Sequence, residues 1–364
     1  MRELLADLLG WWESETPFAL ATVVTTSASA PRPPGAAMAV DTAGEALGSV
    51  SGGCVEGAVY DTAQRVLATG EPVLETFGFG ADDAFAAGLT CGGTISVFVQ
   101  RIDHVTAPDL PAVASASAAA EPVAVATVIA GPARVGARRT VWQDRAAGTT
   151  GTEGLDVTVT DDARGMLAQG QSGQRHYGPA GERCGDAVTV FVQSIAPPPR
   201  MLLFGAIDFA HAVTRIGVFL GYHVTVCDAR GVFATRKRFP EAHEVVVEWP
   251  HRYLIRTAVD PSTVICVLTH DPKFDVPLLE VAVRTPAGYI GAMGSRRTHA
   301  DRLARLRKAG LTEEDLARIR APIGLDLGAR TPEETAVSIA AEIIQNRRRS
   351  SGWPLSTTTG PIHK

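Results

Sequence analysis

The chain carries the same pattern twice, and this internal repeat constrains the fold more than any other feature. Pro17-Phe-Ala-Leu-Ala-Thr-Val-Val matches Pro122-Val-Ala-Val-Ala-Thr-Val-Ile. Cys91-Gly-Gly-Thr-Ile-Ser-Val-Phe-Val-Gln then matches Cys184-Gly-Asp-Ala-Val-Thr-Val-Phe-Val-Gln, in the same order and at nearly the same separation. Such apolar, β-branched runs predict strands. We therefore predict two homologous α+β units, 1–105 and 106–196, that pack as one pseudo-symmetric N-terminal domain.

The pattern changes between residues 197 and 346, where strands alternate with helices. Met201-Leu-Leu-Phe204 is a continuous apolar run, as expected of a parallel strand that is covered on both faces. A helical stretch and a second apolar strand, Tyr222–Cys227, follow it. The alternation predicts an α/β fold, a Rossmann-like, doubly wound parallel sheet. The polar residues 347–364 predict a flexible tail.

Composition excludes several classes of protein. The formal net charge of -5 over 364 residues gives no reason to expect nucleic acid or a membrane surface as a partner. No apolar run approaches the ~20 residues of a membrane span, and the acidic N-terminal stretch does not read as a signal peptide. Five scattered cysteines do not form a disulfide framework, so we expect a cytoplasmic protein.

The first repeat contains a segment with chemical potential, Ser51-Gly-Gly-Cys-Val-Glu-Gly57, just before a helical run, Ala58–Ala68. The two glycines permit positive φ angles. The N–H groups and dipole of a helix start favour a thiolate at Cys54 and a carboxylate at Glu56. The alternative is a structural turn with a small buried cysteine. Because residues 151–170 show no counterpart of this segment, we predict that Cys54 is functional.

The first βα turn of the C-terminal segment departs from the dinucleotide-binding fingerprint. It reads Gly205-Ala-Ile-Asp-Phe-Ala210, so Ile207 stands where a glycine would let the backbone approach a pyrophosphate. Asp208 then puts a carboxylate where a helix N-terminus normally accepts a phosphate. Asp228 does fit the acid that binds a ribose. We therefore do not expect ordinary NAD(P) binding; the other interpretation of Asp228 is a strand-end residue.

Polar residues follow two further strands of the predicted sheet, at the edge where ligands bind in open α/β folds. The first set comes directly after Leu268, and the second opens a helix with a glycine, a capping serine and two arginines. Free N–H groups, a hydroxyl and guanidinium groups together form an anion site. The alternative is a capped helix with solvated arginines. The candidate ligand contacts are His270, Asp271, Gly294, Ser295, Arg296 and Arg297.

These stretches together resemble the XdhC/CoxI family, the accessory factors of xanthine dehydrogenase and carbon monoxide dehydrogenase. The matching residues are Gly48–Glu56, Cys91–Gly93, Thr269–Asp271, Gly291–Arg297, Pro322–Glu334 and Ala336–Glu342. The resemblance implies a factor that binds molybdenum cofactor (molybdopterin), protects it during or after sulfuration, and hands it to an apo molybdenum hydroxylase. It also implies a homodimer, a sulfurtransferase as a further partner, and Cys54 and Cys91 as thiols that contact the cofactor. Ile207 and Asp208 depart from the family pattern.

Three functions are therefore open. In the first, a cofactor chaperone rather than a turnover enzyme, the thiols and neighbouring Gly52, Gly53 and Glu56 meet the molybdenum centre, while Arg296 and Arg297 hold the pterin phosphate. The second is an NAD(P)-dependent oxidoreductase. The third is a thiol redox enzyme that uses Cys54 and Cys91 as catalytic residues, which requires Cα atoms within ~7 Å. For the first function, we predict that Cys54 faces the cleft between the N- and C-terminal halves, across from Ser295–Arg297.

Overall fold

The structure is a computed structural model that describes residues 1–27, 30, 32–78 and 93–359. The chain divides into two compact units, with the division between Pro197 and Pro198. Each unit has its own hydrophobic core. Among the described residues, no helix has both the length and the hydropathy that crossing a membrane requires.

The first repeat is an antiparallel sheet covered by a helix. Within the described residues its strands are arranged in the order β3-β2-β1-β5-β4. Alternate residues of the first strand face opposite ways, because side chains alternate across a strand. Ala19, Ala21 and Val23 pack toward the covering helix, and Phe18 and Leu20 pack on the other face. The elements are α1 (Leu5–Glu13), β1 (Phe18–Ser27), β2 (Ala37–Asp41), β3 (Ala46–Gly48), α2 (Glu56–Thr69), β4 (Val73–Phe77) and β5 (Thr94–Ile102).

The second repeat has the same architecture. Its strand order in the described chain is β8-β7-β6-β10-β9, which reproduces that of the first repeat strand for strand. The second covering helix, α4, corresponds to α2. The elements are α3 (Leu110–Ala118), β6 (Val123–Ala130), β7 (Arg138–Val141), β8 (Ala146–Gly148), α4 (Glu153–Ala168), β9 (Gly173–Tyr177) and β10 (Val188–Ile195). The predicted fold of this half, two α+β repeats, is confirmed.

The two sheets pack against each other through matched positions. Phe98 of β5 and Phe191 of β10 occupy equivalent places in their repeats, and both lie in one buried cluster with Val24 and Ile129. Gln193 extends the contact, since its side-chain amide donates to the carbonyl oxygen of Gly35 at 3.0 Å. A buried amide needs such a partner. The repeats therefore share a core that neither could bury alone.

The second unit, residues 198–358, is fully described and is a doubly wound α/β domain. Its parallel sheet has the order β13-β12-β11-β14-β15-β16. Successive strands are added on one side of β11 up to β13 and on its other side from β14 onward, so the strand order reverses between β11 and β14. This confirms the predicted Rossmann-like sheet. The elements are β11 (Arg200–Phe204), α5 (Asp208–Phe219), β12 (His223–Asp228), β13 (Glu244–Val247), α6 (Pro250–Arg256), β14 (Val264–Val267), α7 (Pro272–Ala282), β15 (Tyr289–Ala292), α8 (Arg296–Lys308), α9 (Glu313–Ala317), β16 (Ile319–Arg320) and α10 (Pro332–Arg348).

Two predicted boundaries differ from the structure. The helix after the cysteine segment begins at Glu56 rather than Ala58, because Glu56 already belongs to the first helical turn. The sequence predicts a tail from residue 347, but α10 continues to Arg348 and ends at Arg349 in a left-handed conformation. The backbone N–H of Ser350 donates to the carbonyl of Gln345 and closes this helix end.

Gly48 and Gly148 provide a test of the repeat. Each has φ near +80° and, in each, an added Cβ would lie 2.4 Å from a backbone carbonyl oxygen of the neighbouring strand. We expect Gly48→Ala and Gly148→Ala each to lower the free energy of unfolding by more than about 2 kcal/mol in urea denaturation. Gly70→Ala is the control: its φ is +76° with open space around it, so only the strain of about 1 kcal/mol applies. Equal losses for Gly48→Ala and Gly70→Ala would contradict this packing.

Candidate functional site

The cysteine turn is built around one carboxylate. Oε1 of Glu56 accepts hydrogen bonds from Oγ of Ser49 at 2.6 Å and from the backbone N–H groups of Ser51 and Gly52, each at 2.9 Å. Oε2 accepts from the N–H of Gly53 at 2.8 Å and from the Ser51 hydroxyl. A carboxylate in the first helical turn thus closes the loop that precedes its own helix. These bonds give Glu56 a positioning role, and its predicted contact with a cofactor stays a prediction.

Cys54 is held directly by this network. Its backbone N–H donates to Oγ of Ser51 at 3.0 Å, and that of Val55 does the same. The cysteine is half-buried and lies two residues before α2. Gly52 and Gly53 have φ values of +79° and +117°, and a Cβ on either would meet no atom within 4 Å. The glycines are therefore needed for the backbone conformation, and the space beside them is open.

The environment of Glu56 keeps the carboxylate charged. Burial acts to raise its pKa, but the hydrogen bonds from Ser49 and Ser51 outweigh burial and lower the pKa to about 2. Hydrogen bonds to the charged form of an acid have this effect. The turn consequently carries a fixed negative charge within a few ångströms of the Cys54 backbone.

The second repeat corrects one prediction. The sequence predicts no counterpart of the turn there, but Asp156 takes the place of Glu56 and accepts from the N–H and the hydroxyl of Thr150 at 2.6 and 2.7 Å. A carboxylate therefore accepts hydrogen bonds from the preceding loop in both repeats. At the position equivalent to Cys54, however, the second repeat has Gly154. Thr152 and Glu153 stand at the positions of the glycine pair. Only the first repeat combines this carboxylate tie with a thiol.

Replacing Glu56 by glutamine tests the tie. Glu56→Gln leaves donors without a charged acceptor, so we expect a loss of about 1–2 kcal/mol in unfolding free energy at neutral pH. Because the folded-state pKa is depressed, the charge stabilises the fold above pH 4.5, and that advantage is lost as pH falls toward about 2. Denaturation of both proteins across this pH range measures it. Glu153→Gln removes a first-turn acid that ties no turn and should cost less than about 0.5 kcal/mol; an equal loss would contradict the tie.

The other cysteines have different surroundings. Cys91 lies outside the described residues, so its distance from Cys54 and the dithiol hypothesis stay predictions. Cys184 is exposed. Cys227 and Cys266 are buried within strands; burial raises the pKa of Cys227 to about 12 and also raises the pKa of Cys266. These two thiols are ordinary core residues.

The first βα turn of the second unit uses its acidic residues internally. Asp228 is 2% exposed, and it accepts from the backbone N–H of Ala206 at 2.8 Å and from the side chain of Arg230. Burial acts to raise the pKa of Asp228, but the bonds from Arg230 and Ala206 lower it overall. These hydrogen bonds show that Asp228 stabilises the turn, and its predicted contact with a ribose stays a prediction.

The exposed carboxylate of Asp208 lies in the first turn of α5. It pairs with Arg238 at 3.0 Å, and Arg238 also donates to the carbonyl of Ala206 at 3.2 Å. The protein's own anion thus lies at the helix N-terminus where a pyrophosphate would otherwise bind.

Titration with NADH and NADPH tests this turn. We expect no saturable binding by the wild type up to about 1 mM, because Asp208 repels a phosphate and Ile207 keeps it at a distance. The double variant Ile207→Gly with Asp208→Asn removes both obstacles and should bind more tightly than the wild type. Saturable binding by the unmodified chain would contradict this interpretation.

The predicted ligand residues that follow β14 and β15 differ in whether their side chains already have partners within the protein. Ser295 caps α8 by accepting from the N–H of Thr298 at 3.1 Å, after Gly294 with φ +145°. Asp271 caps α7 and pairs with Lys273 at 3.0 Å, so its carboxylate is already engaged. The predicted arginines, Arg296 and Arg297, are exposed, and the described residues offer them no ion pair.

A pocket of about 110 Å³ lies between the starts of α7 and α8. It brings His270 together with the first turns of α8, as the sequence predicts, but its arginines are Arg302 and Arg305 rather than Arg296 and Arg297. The lining residues are His270, Pro272, Asp275, Val276, Thr298, Asp301, Arg302 and Arg305.

Beneath this pocket is a buried ion pair that sequence reasoning missed. Nη2 of Arg302 donates to Asp275 at 2.9 Å and to the carbonyl of Met293 at 2.8 Å, and the side chains are only 3% and 4% exposed. The hydroxyl of Thr269 donates to the other oxygen of Asp275. Burial raises the pKa of Asp275, an effect that Thr269 and Arg302 only partly offset. The sequence offered one signal for this arginine: Thr298 and Arg302 have the i,i+4 spacing that places both side chains on the same face of a helix.

Two family models match the chain. The model described as the XdhC Rossmann domain matches residues 201–343, and that of the XdhC and CoxI family matches residues 11–78 and 116–178, one stretch in each repeat. The chain belongs to the XdhC and CoxI family.

Relatives in this family align over most of the chain. A protein of Bacillus subtilis named as a probable subunit of xanthine dehydrogenase is 28% identical over 342 residues, covering 93% of this chain and 95% of the relative. The molybdenum cofactor insertion chaperone PaoD of Escherichia coli is 26% identical over 328 residues, covering 90% and 83%. A crystal structure described as a xanthine dehydrogenase from Bacillus halodurans superposes with a TM-score of 0.74 at 23% identity, covering 98% and 97%. That likeness supports the fold.

Proposed function

We propose that this XdhC and CoxI family member binds the molybdenum cofactor as cargo and delivers it to an apo molybdenum hydroxylase. The observation that carries the proposal is the Cys54 turn, in which a half-buried cysteine stands two residues before α2 and follows two glycines with open space beside their backbone. The names of the relatives, a molybdenum cofactor insertion chaperone and a probable component of xanthine dehydrogenase, support the class of cargo.

The chemistry of the turn suits a molybdenum–sulfur centre. A thiolate is a soft ligand, and soft ligands select metal–sulfur centres over hard cations. The backbone of the turn is rigid because Glu56 holds Ser49 through Gly53. A rigid turn presents the thiol without the entropic cost of ordering a loop on binding. Such a site holds a cofactor reversibly, as a chaperone requires.

The second unit would hold the phosphate end of the pterin. Arg296 and Arg297 are exposed at the N-terminus of α8, beside a pocket that His270 also lines. Guanidinium groups and a helix N-terminus both favour a phosphate.

The same proposal includes the partners and the state of the protein. An apo molybdenum hydroxylase receives the cofactor, a sulfurtransferase acts on it beforehand, and the chain works as a homodimer in the cytoplasm. The chain acts as a chaperone rather than as an enzyme with turnover.

Pterin retention tests the role of Cys54. The wild type, expressed in a host that makes the cofactor, should purify with pterin that is measurable by fluorescence after oxidation. Cys54→Ser keeps the size of the side chain but removes the soft ligand, so retention should fall at least about tenfold. Cys184→Ser is the matched control, because Cys184 is an exposed thiol in the second repeat, and it should retain the wild-type amount. A wild type without pterin, or equal retention by Cys54→Ser, would refute the proposal.

A further inference from the structure

One arginine that lines the pocket between α7 and α8, Arg302, has a buried donor atom without a hydrogen-bond partner among the described residues. Arg302 is 3% exposed, and its Nη2 atom is fully used by Asp275 and Met293. Its Nη1 atom is buried and, among the described residues, has no hydrogen-bond partner. Buried donors are almost always paired, and an arginine that is buried and half-satisfied requires an explanation. An acceptor that enters the pocket would provide one, because Arg302 lines it.

Two arginines and two aspartates line the pocket, so its formal charges balance, and the sign of a ligand depends on which of these groups are already engaged. Arg302 and Arg305 are cationic and His270 is a further donor, while the acids that line the pocket are Asp275 and Asp301. Asp275 is already bonded to Arg302 and Thr269, so it presents no free acceptor to a ligand. Asp301 is exposed on α8, where solvent screens its charge.

The α8 N-terminus adds a second source of positive potential. Thr298 lines the pocket from the first turn of this 13-residue helix, and Ser295 caps only the N–H of Thr298 itself. The preceding N–H groups of the first turn carry the positive end of the helix dipole. A buried guanidinium near the positive end of a helix dipole is typical of sites for phosphate groups.

We infer that this pocket, lined by His270, Thr298, Arg302 and Arg305, binds one phosphate group, with Nη1 of Arg302 as a donor at its base. Its volume of about 110 Å³ suits a single phosphoryl group rather than a whole cofactor. The inference deepens the proposed function, on which it rests for the molecule that carries the phosphate. It adds Arg302 and Arg305 to the proposed phosphate contacts; Arg296 and Arg297 lie outside the pocket lining.

Calorimetric titration with inorganic phosphate and with phenyl phosphate tests the pocket. We expect saturable binding by the wild type; tighter binding of the monoester would identify a phosphorylated organic molecule, and tighter binding of inorganic phosphate a free anion. Arg302→Lys keeps a cation beside Asp275 but loses the second nitrogen, so the Kd should rise at least about tenfold. Arg305→Ala should also weaken binding. Arg307→Ala is the control, an exposed arginine on the same helix outside the pocket, and should bind like the wild type.

Asp301→Asn keeps the test decisive if Arg302→Lys does not fold. It removes the one acid of the pocket that is not engaged by Arg302, so phosphate binding should tighten. No saturable phosphate binding up to about 10 mM, or equal affinities for wild type, Arg305→Ala and Asp301→Asn, would overturn the inference.

The outcome is separable from that of the proposed function, because Cys54→Ser should bind phosphate like the wild type. Pterin retention without phosphate binding would refute the pocket alone. Phosphate binding that depends on Arg302, in a chain that retains no pterin, would refute the proposed cargo alone.

Discussion

The candidate site of the first unit depends on the hydrogen bonds that the carboxylate of Glu56 accepts. By accepting from both the side chains and the backbone of Ser49–Gly53, it converts a glycine-rich loop into a fixed turn. Cys54 takes its position from that turn and from the Ser51 hydroxyl. A flexible loop with the same residues would present the thiol in many orientations, and each binding event would have to select one.

The internal repeat separates what the fold needs from what a function needs. Both repeats close the loop before their helix with an acid, Glu56 in one and Asp156 in the other. Both also place a glycine with φ near +80° at the end of the preceding strand. The thiol and the glycine pair occur in one repeat only, although both repeats build the same sheet and helix. The second repeat therefore builds this sheet and helix without a thiol at the position of Cys54, which packs against the core in the first repeat; we propose that cofactor binding is its additional role.

Much of the fold can be predicted from local sequence patterns. The repeated apolar runs predict the strands of both sheets, because the residue types and their spacing within one segment are enough to indicate a strand. The site is less accessible to such reasoning. Asp228 sits where a ribose-binding acid is expected, but its partners, Ala206 and Arg230, turn it inward. The pairing of Asp275 with Arg302 joins two helices across 27 residues. A charge that is buried by tertiary packing has no signature in its own segment, so Arg302 looks in sequence like the solvated arginines around it.

We propose that the first unit holds a molybdenum cofactor through Cys54. Native mass spectrometry of the intact protein, purified gently from a host that makes the cofactor, measures this most directly. We predict an added mass equal to molybdopterin with molybdenum, with the isotope pattern of molybdenum, that is present in the wild type and depleted in Cys54→Ser. A bound species without molybdenum or pterin, or an unchanged adduct in Cys54→Ser, would contradict it.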